Sequence, residues 1–540
     1  MRDVLERKVL HNVRKPARYT GGELNSIKKS WDSTEVKVAL SYPDVYEVGM
    51  SNLGLQILYH IINGLGFALA ERCYAPWGDM EAELRKNRLP LYGLESFTPL
   101  SEFDLIGFSI QHELTYTNMI NMLDLSGIPI RSRDRKSIVF AGGPCSLNPE
   151  PVADFIDFFL IGEGEEAIVE ILTTFRKSRG RDKEETLKKL SEIDGVWVPS
   201  LERGGKVKKR FVKDLNNSPY PTKPVVPFIE TVHDRAMIEI MRGCPRSCKF
   251  CQARPFFRPL RTRKKETLLK QAGELIGNTG FEELSLVSLS TSDYPGIGGL
   301  ARELADRFSG KRVSIALPSV RMDSFSIKLA EETARVRPSS VTLAPESGTQ
   351  RLRDLIGKGM TEDDILSGAA AAFEAGIRKI KLYFMIGLPE ETEEDIRGII
   401  DLAGRIASLA KGGKRARITV SVSTFIPKPH TPFEREAQIS IDETLRKQKL
   451  LKDNLRDRSI ELRWHDAAAS FIEGAFARGD RKLSKVIETA WKKGARMDAW
   501  SECFNLSTWD EAFRECGIDP NAYLRKRKEN DVLPWSFIEA

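Results

Sequence analysis

Nowhere in the 540 residues does an uninterrupted apolar run approach the roughly 18 residues of a membrane-spanning helix, so no membrane span is expected. The first residues, Met1-Arg2-Asp3-Val4-Leu5-Glu6-Arg7, lack the apolar centre of a secretory signal, and the protein is expected to stay in the cytoplasm. Cysteine is scarce: there are seven, and Cys73, Cys145, Cys503 and Cys516 are single and scattered, which excludes the disulfide framework of a small secreted domain. A strong charge imbalance is also missing. The formal net charge of +7 permits an RNA or other anionic partner without demanding one. With 29% charged and 41% hydrophobic residues the chain is not largely disordered, and its length suits about three or four domains with cores of their own.

The remaining three cysteines stand together. Arg242-Gly243-Cys244-Pro245-Arg246-Ser247-Cys248-Lys249-Phe250-Cys251 spaces them as C-x-x-x-C-x-x-C. Thiolates at this spacing can wrap one face of a four-iron four-sulfur cubane, one sulfur to each of three irons, leaving the fourth iron without a protein ligand. A zinc site is the alternative. Structural zinc takes four ligands, commonly from two separated pairs, and no second pair occurs here.

Around this loop the apolar pattern alternates between strands and helices. Arg235–Met241 reads as a strand leading into the cysteines, followed by strands at 283–294, 313–319, 340–346, 379–387 and 418–425, with helices at 267–277, 298–309, 323–335, 362–375 and 393–410. That predicts a partial (β/α)6 barrel over 233–460, with the cysteines at the carboxyl end of its first strand. The run Arg258, Arg261, Arg263, Lys264 and Lys265 reads as a solvated helix start, with phosphate contact as the alternative.

The cysteine stretch resembles the signature of the radical S-adenosylmethionine enzymes, C-x-x-x-C-x-aromatic-C, with Phe250 at the aromatic position. The resemblance implies that Cys244, Cys248 and Cys251 hold a 4Fe-4S cluster whose open iron chelates S-adenosylmethionine. Its reductive cleavage gives methionine and a 5′-deoxyadenosyl radical. An electron donor of flavodoxin or ferredoxin type is implied as well. Carried over residue by residue, Ser290 and Thr291 match the position that holds the amino group. Ser319 and Arg321 match a segment reaching the carboxylate or ribose. Glu346 matches a ribose or amino contact, and Ile386-Gly387 the adenine-binding turn.

Residues 36–175 form another alternating α/β unit, with strands at 36–43, 67–73, 104–110, 137–143 and 158–165, the pattern of a Rossmann-like, flavodoxin-like parallel sheet. Ligands of such sheets sit at the carboxyl strand ends, here the glycine- and serine-rich turns at 49–54, 109–113, 142–148 and 162–165. Gly142-Gly143-Pro144, Asn148-Pro149-Glu150-Pro151, Asp157 and Gly162-Glu163-Gly164-Glu165 resemble the cobalamin-binding domain fused ahead of many radical S-adenosylmethionine domains. The D-x-H-x-x-G motif, whose histidine ligates cobalt, is missing. If cobalamin binds, no histidine of this chain is expected on the metal, His112 included; a flavodoxin-like cover without a cofactor is the alternative.

The remaining segments frame these two units. Residues 1–35 read as an arm with a solvated face at Lys28 and Lys29. Residues 176–232 read as a linker, with an exposed helix over 176–189 and a hairpin joining Gly195–Pro199 to Lys206–Val212 around Arg203-Gly204-Gly205. Residues 461–540 read as a small helical region, with a terminal strand at 462–465 and Trp500, Phe504, Trp509 and Phe513 as a packing surface. Asp466, Glu473, Arg478 and Asp480 are candidates to reach the barrel mouth.

Pro427-Lys428-Pro429-His430-Thr431-Pro432-Phe433 and Glu346-Ser347-Gly348 also look like the tRNA methylthiotransferases. Those enzymes need a second cluster on three N-terminal cysteines, and this half offers only Cys73 and Cys145. The function expected is a radical S-adenosylmethionine enzyme performing cobalamin-dependent methylation or another C–H modification of an unknown substrate. A cobalamin-free radical enzyme, and a non-catalytic iron–sulfur or RNA-binding factor, are the alternatives.

Overall fold

A computed structural model describes residues 1–201, 205–318, 341–374, 376–410, 416–455 and 457–540. Among them, no helix is long and apolar enough to cross a membrane.

The first unit is a six-stranded sheet. Strands β1 (Val36–Tyr42), β2 (Ala68–Tyr74), β3 (Leu105–Ser109), β4 (Ile138–Gly142) and β5 (Phe158–Leu160) run parallel in the order β2-β1-β3-β4-β5, and β6 (Val196–Trp197) closes one edge antiparallel to β5. Every residue of β2 is buried, as are all but Lys37 of β1, which fits a parallel sheet covered by helices on both faces. The strand order reverses between β1 and β3, so a crevice opens above their carboxyl ends.

The expected hairpin does not form. β6 pairs with β5, whereas β7 (Val207–Lys208) pairs in parallel with Ile538–Glu539, strand β17. Arg210 explains the divergence: its backbone N–H donates to Ile161 O at 2.9 Å and its carbonyl accepts from Glu163 N at 3.0 Å, drawing the second segment onto the main sheet. The helix expected over 176–189 is likewise two, Ala167–Lys177 and Lys183–Leu190, separated by a turn with Gly180 at φ +85°. Lys29 is not a solvated residue; its Nζ donates to Leu65 O and Ala68 O at 2.6 and 2.7 Å.

The second unit carries all six expected parallel strands in two arcs: β8 (Ala236–Glu239), β11 (Glu283–Val287) and β12 (Ser314–Ala316), then β13 (Val341–Glu346), β14 (Lys379–Ile386) and β15 (Arg417–Thr424). The strand anticipated at 462–465 is β16 (Ile460–Trp464), which extends the second arc alongside β15. A short antiparallel pair, β9 (Met241–Arg242) with β10 (Arg261–Thr262), brackets the cysteine loop. Helices Glu362–Glu374, Glu393–Ser408 and Ile441–Asn454 dry the outer face of β14 and β15, where Ile380, Leu382, Phe384, Ile418, Val420 and Val422 are at most 1% exposed.

The C-terminal helices pack back on the first unit. Trp509 and Phe513 are buried, Asp498 accepts from Thr117 Oγ1 at 2.7 Å, and Ser484 donates to Pro151 O at 2.8 Å. The aromatics there are packing residues, as expected.

Candidate active site

Strand β8 delivers the chain to the cysteine loop, and the loop is buttressed by the end of the helix Gln350–Leu355 that follows β13. The backbone N–H of Lys249 donates to Ile356 O at 2.9 Å, and a Cβ on Gly357 would lie 2.9 Å from Ser247 O, so only glycine, here at φ +69°, lets these backbones approach. Phe250 packs with Met385 against an apolar cluster of Leu352, Ile356, Leu388, Phe425 and Phe433. The aromatic position thereby locks the cysteine loop onto the carboxyl ends of β14 and β15.

Cys244, Cys248 and Cys251 are all free and partly exposed. Burial pushes the Cys248 thiol up, Lys358 pulls it down, and Cys251, Glu346 and Cys244 push it up again. Burial likewise raises Cys251, opposed by the backbone N–H groups of Ala253 and Arg254, with Cys244 adding to the rise. The three thiols are near enough to act on one another electrostatically, and a donor set of three thiolates fits a cluster with one iron left open. Cys73, in β2, and Cys145, in the turn after β4, are 1% and 5% exposed, buried as structural thiols are.

Glu346 sits beyond a register shift at the end of β13, at φ +68°, and accepts from Lys358 Nζ at 2.9 Å. That backbone conformation is costly for a non-glycine residue, and it puts the carboxylate beside Cys248 and Cys251. Lys358 escaped the sequence reading; its signal is the tripeptide Gly357-Lys358-Gly359, twelve residues downstream of the glutamate.

The other matched positions divide. Ser290 Oγ donates to Asp293 Oδ2 at 2.7 Å, and Arg246 from the cysteine loop clamps the same carboxylate with Nε at 2.9 Å. Thr291 is fully buried, its hydroxyl bonded to Leu286 O and Ser288 Oγ, so it holds the turn after β11 together. Ile386 is 0% exposed in the core, with its carbonyl accepting from Phe425 N at 2.8 Å. Gly387, at φ +82°, donates its N–H to Glu391, and a Cβ there would strike Ile439 at 2.7 Å. Ser319 and Arg321 lie outside the described residues.

A cavity of about 330 Å³ separates the two units. Leu40, Ser109, Gln111, Gly142 and Gly143 line it from the strand ends of the first sheet, and Glu239, Arg242, Phe256 and Phe257 from the barrel. Gly142 has an unstrained backbone, and a Cβ built on it meets nothing nearer than Leu160 O at 3.6 Å. Its missing side chain is therefore space that the cavity keeps. A pocket of this volume, mostly apolar with a few polar groups, suits a cofactor-sized ligand. Among the described residues no histidine lines it; His112 Nε2 is instead 3.3 Å from Glu473.

Beside the cavity runs a buried ion network. Arg242 meets Glu163 at 3.0 Å, Glu165 at 2.7 Å and Glu239 at 2.8 Å, while Arg261 forks onto Glu163 at 2.7 Å. Arg263, 1% exposed, lies 5.0 Å from the centre of the Tyr220 ring. Arg261 and Arg263 are thus neither a solvated helix start nor available to phosphate: Arg261 docks one unit on the other, and Arg263 is buried against the linker at Ser218 and Tyr220. Of the four tail candidates, Glu473 reaches the rim. It and Glu113 hold Lys428 Nζ at 2.9 and 2.8 Å. Asp466 caps its helix, Arg478 donates to Arg525 O, and Asp480 accepts from Tyr523.

Comparison with known proteins agrees with this arrangement. The family model "Radical SAM proteins, N-terminal" matches residues 54–199 and the radical SAM superfamily model matches 238–403. An uncharacterized protein of Methanocaldococcus jannaschii is 29% identical over 490 residues, 90% of this chain and 98% of its own. The ribosomal protein uS12 methylthiotransferase RimO of Pelotomaculum thermopropionicum is 24% identical, covering 62% of this chain and 80% of that protein. Among solved structures, the fold is like that of the radical S-adenosylmethionine methyltransferase TsrM of Kitasatospora setae, solved with cobalamin and a [4Fe-4S] cluster bound. There the TM-score is 0.51 at 16% identity, over 74% of this chain and 77% of that one. It is also like that of the cobalamin-dependent S-adenosylmethionine radical enzyme OxsB, with a TM-score of 0.53 at 16% identity over 89% and 71%. With both of its matched regions belonging to one superfamily and the three-cysteine loop seated at the rim of the barrel, the chain is a radical S-adenosylmethionine protein.

Proposed function

We propose that the chain is a radical S-adenosylmethionine enzyme whose first unit holds a corrinoid, and that it methylates, or otherwise modifies at carbon, a substrate brought to the barrel. The observation that carries this reading is a shared wall. Phe256 and Phe257, on the helix directly after Cys251, line the cavity over the carboxyl ends of β1, β3 and β4. When bound, the cluster and S-adenosylmethionine supply a one-electron reduction that yields a radical able to take hydrogen from unactivated carbon.

The residues of the chain do the holding. Cys244, Cys248 and Cys251 supply the thiolates, and the Phe250 cluster keeps their loop seated. Lys358 and Glu346 fix a positive and a negative charge beside the sulfurs, placed to orient the amino acid end of the sulfonium ligand. Gly142 leaves room for a flat ligand, and the Arg242 and Arg261 network keeps the two units in fixed register. An electron donor of flavodoxin or ferredoxin type completes the system.

Anaerobic purification from cells supplied with hydroxocobalamin tests the reading in two steps. Corrinoid should co-purify, with the absorption of a cobalt not ligated by imidazole. Dithionite and S-adenosylmethionine should then give 5′-deoxyadenosine. A cluster-loaded protein that cleaves S-adenosylmethionine but retains no corrinoid would leave a cobalamin-free radical enzyme; one that does neither would leave a binding factor.

A further inference from the structure

Parallel sheets are ordinarily buried on both faces, and a closed (β/α) barrel fills its interior with packed side chains. The second arc of this barrel does neither. Its outer face is dry, but its inner positions alternate into the open: Arg417 and Arg463 have side chains 65% and 64% exposed, and Tyr383 is 39% exposed. The register places Lys379 beside Arg417, Lys381 in the row of Thr419 and Glu461, and Tyr383 in the row of Ser421 and Arg463. These residues are open to solvent.

Its charge is lopsided. Glu461 is shared by both guanidiniums, at 3.1 Å from Arg417 and 2.6 Å from Arg463. Among the described residues no carboxylate lies within ion-pair distance of Lys379 or Lys381; Lys381 Nζ rests 4.6 Å above the Tyr383 ring. Among the described residues of this face, four cations stand against one carboxylate, which makes a site for an anion, and guanidinium and ammonium groups together suit phosphate.

We propose that the inner face of β14, β15 and β16 binds the phosphate end of the substrate, a nucleotide or a nucleic-acid chain. The proposal rests on the radical reading above and names the class of molecule on which it acts. Its scale follows from the strand. Met385, which packs against the same apolar cluster as Phe250 of the cysteine motif, is four residues beyond Lys381 on the same face, about 13 Å at strand rise. A phosphate held at Lys379 and Lys381 therefore leaves room for roughly a nucleoside between it and the reactive end of the barrel. Bare phosphate is too short to span that distance.

The test uses the full-length, cluster-loaded protein with three probes: inorganic phosphate, ADP, and a fluorescein-labelled single-stranded RNA of about 20 nucleotides. ADP or the RNA should bind, more weakly as salt rises, and the double variant Lys379→Ala/Lys381→Ala should lose roughly tenfold or more in affinity with a shallower salt dependence. Glu461→Gln, which frees Arg417 and Arg463, should bind more tightly, a change that misfolding would not produce. RNA bound well above ADP identifies a chain; the converse identifies a mononucleotide. Binding of phosphate alone, no binding of any probe, or binding indifferent to the two lysines would overturn the proposal. Formation of 5′-deoxyadenosine by the wild type without any anion is measured in parallel. If it fails while lysine-dependent binding stands, the radical reading falls; if it proceeds while binding ignores the lysines, the phosphate site falls.

Discussion

Lys358 donates a 2.9 Å hydrogen bond to Glu346, each side chain only 15% exposed, and both charges act on the Cys248 thiol. The potential of an iron–sulfur centre follows the charge around it. Lys358→Met removes a cation and leaves an uncompensated carboxylate, so the cluster midpoint should move to more negative potential. Glu346→Gln should move it the other way, and the double variant should fall between them. A redox titration followed by paramagnetic resonance reads all three; a midpoint unmoved in both single variants would show that the pair does not act on the cluster.

Cys248→Ala removes one of three thiolates. Iron and sulfide per chain and the cluster's visible absorption should be lost, with circular dichroism unchanged because the side chain is partly exposed in a loop. Full retention of the cluster would defeat the ligand assignment.

Lys428 is the cation of a buried node that joins the loop after β3, the loop after β15 and the C-terminal helix through Glu113 and Glu473. Burial pushes Glu473 up, but Lys428 and then His112 pull it far below the usual carboxylate range. A carboxyl held down in the folded state contributes stability above its unfolded pKa and loses it as pH falls. Lys428→Met should therefore cost about 3–5 kcal/mol near neutrality. The gap to wild type should narrow as pH drops below the ordinary carboxylate range, where the orphaned acids take up protons. Thermal melts across pH check this; a gap that widens on acidification would contradict the pairing.

Gly142→Leu places a side chain where the cavity is open. Corrinoid retention should fall sharply while iron content stays at the wild-type level, since the substitution lies on the first sheet and the thiols on the barrel. Equal corrinoid in variant and wild type would move the corrinoid away from this cavity.

Features written in local pattern were legible in the sequence: the cysteine spacing, the strand-then-loop order that seats it, and the parallel strands between helices. Long-range pairing was not. Arg261 and Arg263 look solvated because their neighbours in sequence are basic, while their acceptors Glu163 and Ser218 arrive from other segments. The apparent hairpin had the right alternation, but β7 found its partner at 538–539. Thr291 and Ile386 fell at motif positions yet turn into the core, because a motif specifies a place on the chain and the pleat decides which face that place presents. Lys379-Ile380-Lys381-Leu382-Tyr383 alternates charged or aromatic with apolar, unusual for a parallel strand, and it marks the exposed face of β14.

The pairing of Val207–Lys208 with Ile538–Glu539 also sets an order of assembly. The connector between the two units acquires its strand partner only after all of the barrel and the C-terminal helices have been synthesised. Up to that point the first sheet can fold behind the ribosome and take the barrel against it through Arg242 and Arg261, while Val207–Lys208 stays unpaired. The closing of the connector's edge is thus among the last features of the molecule to become fixed.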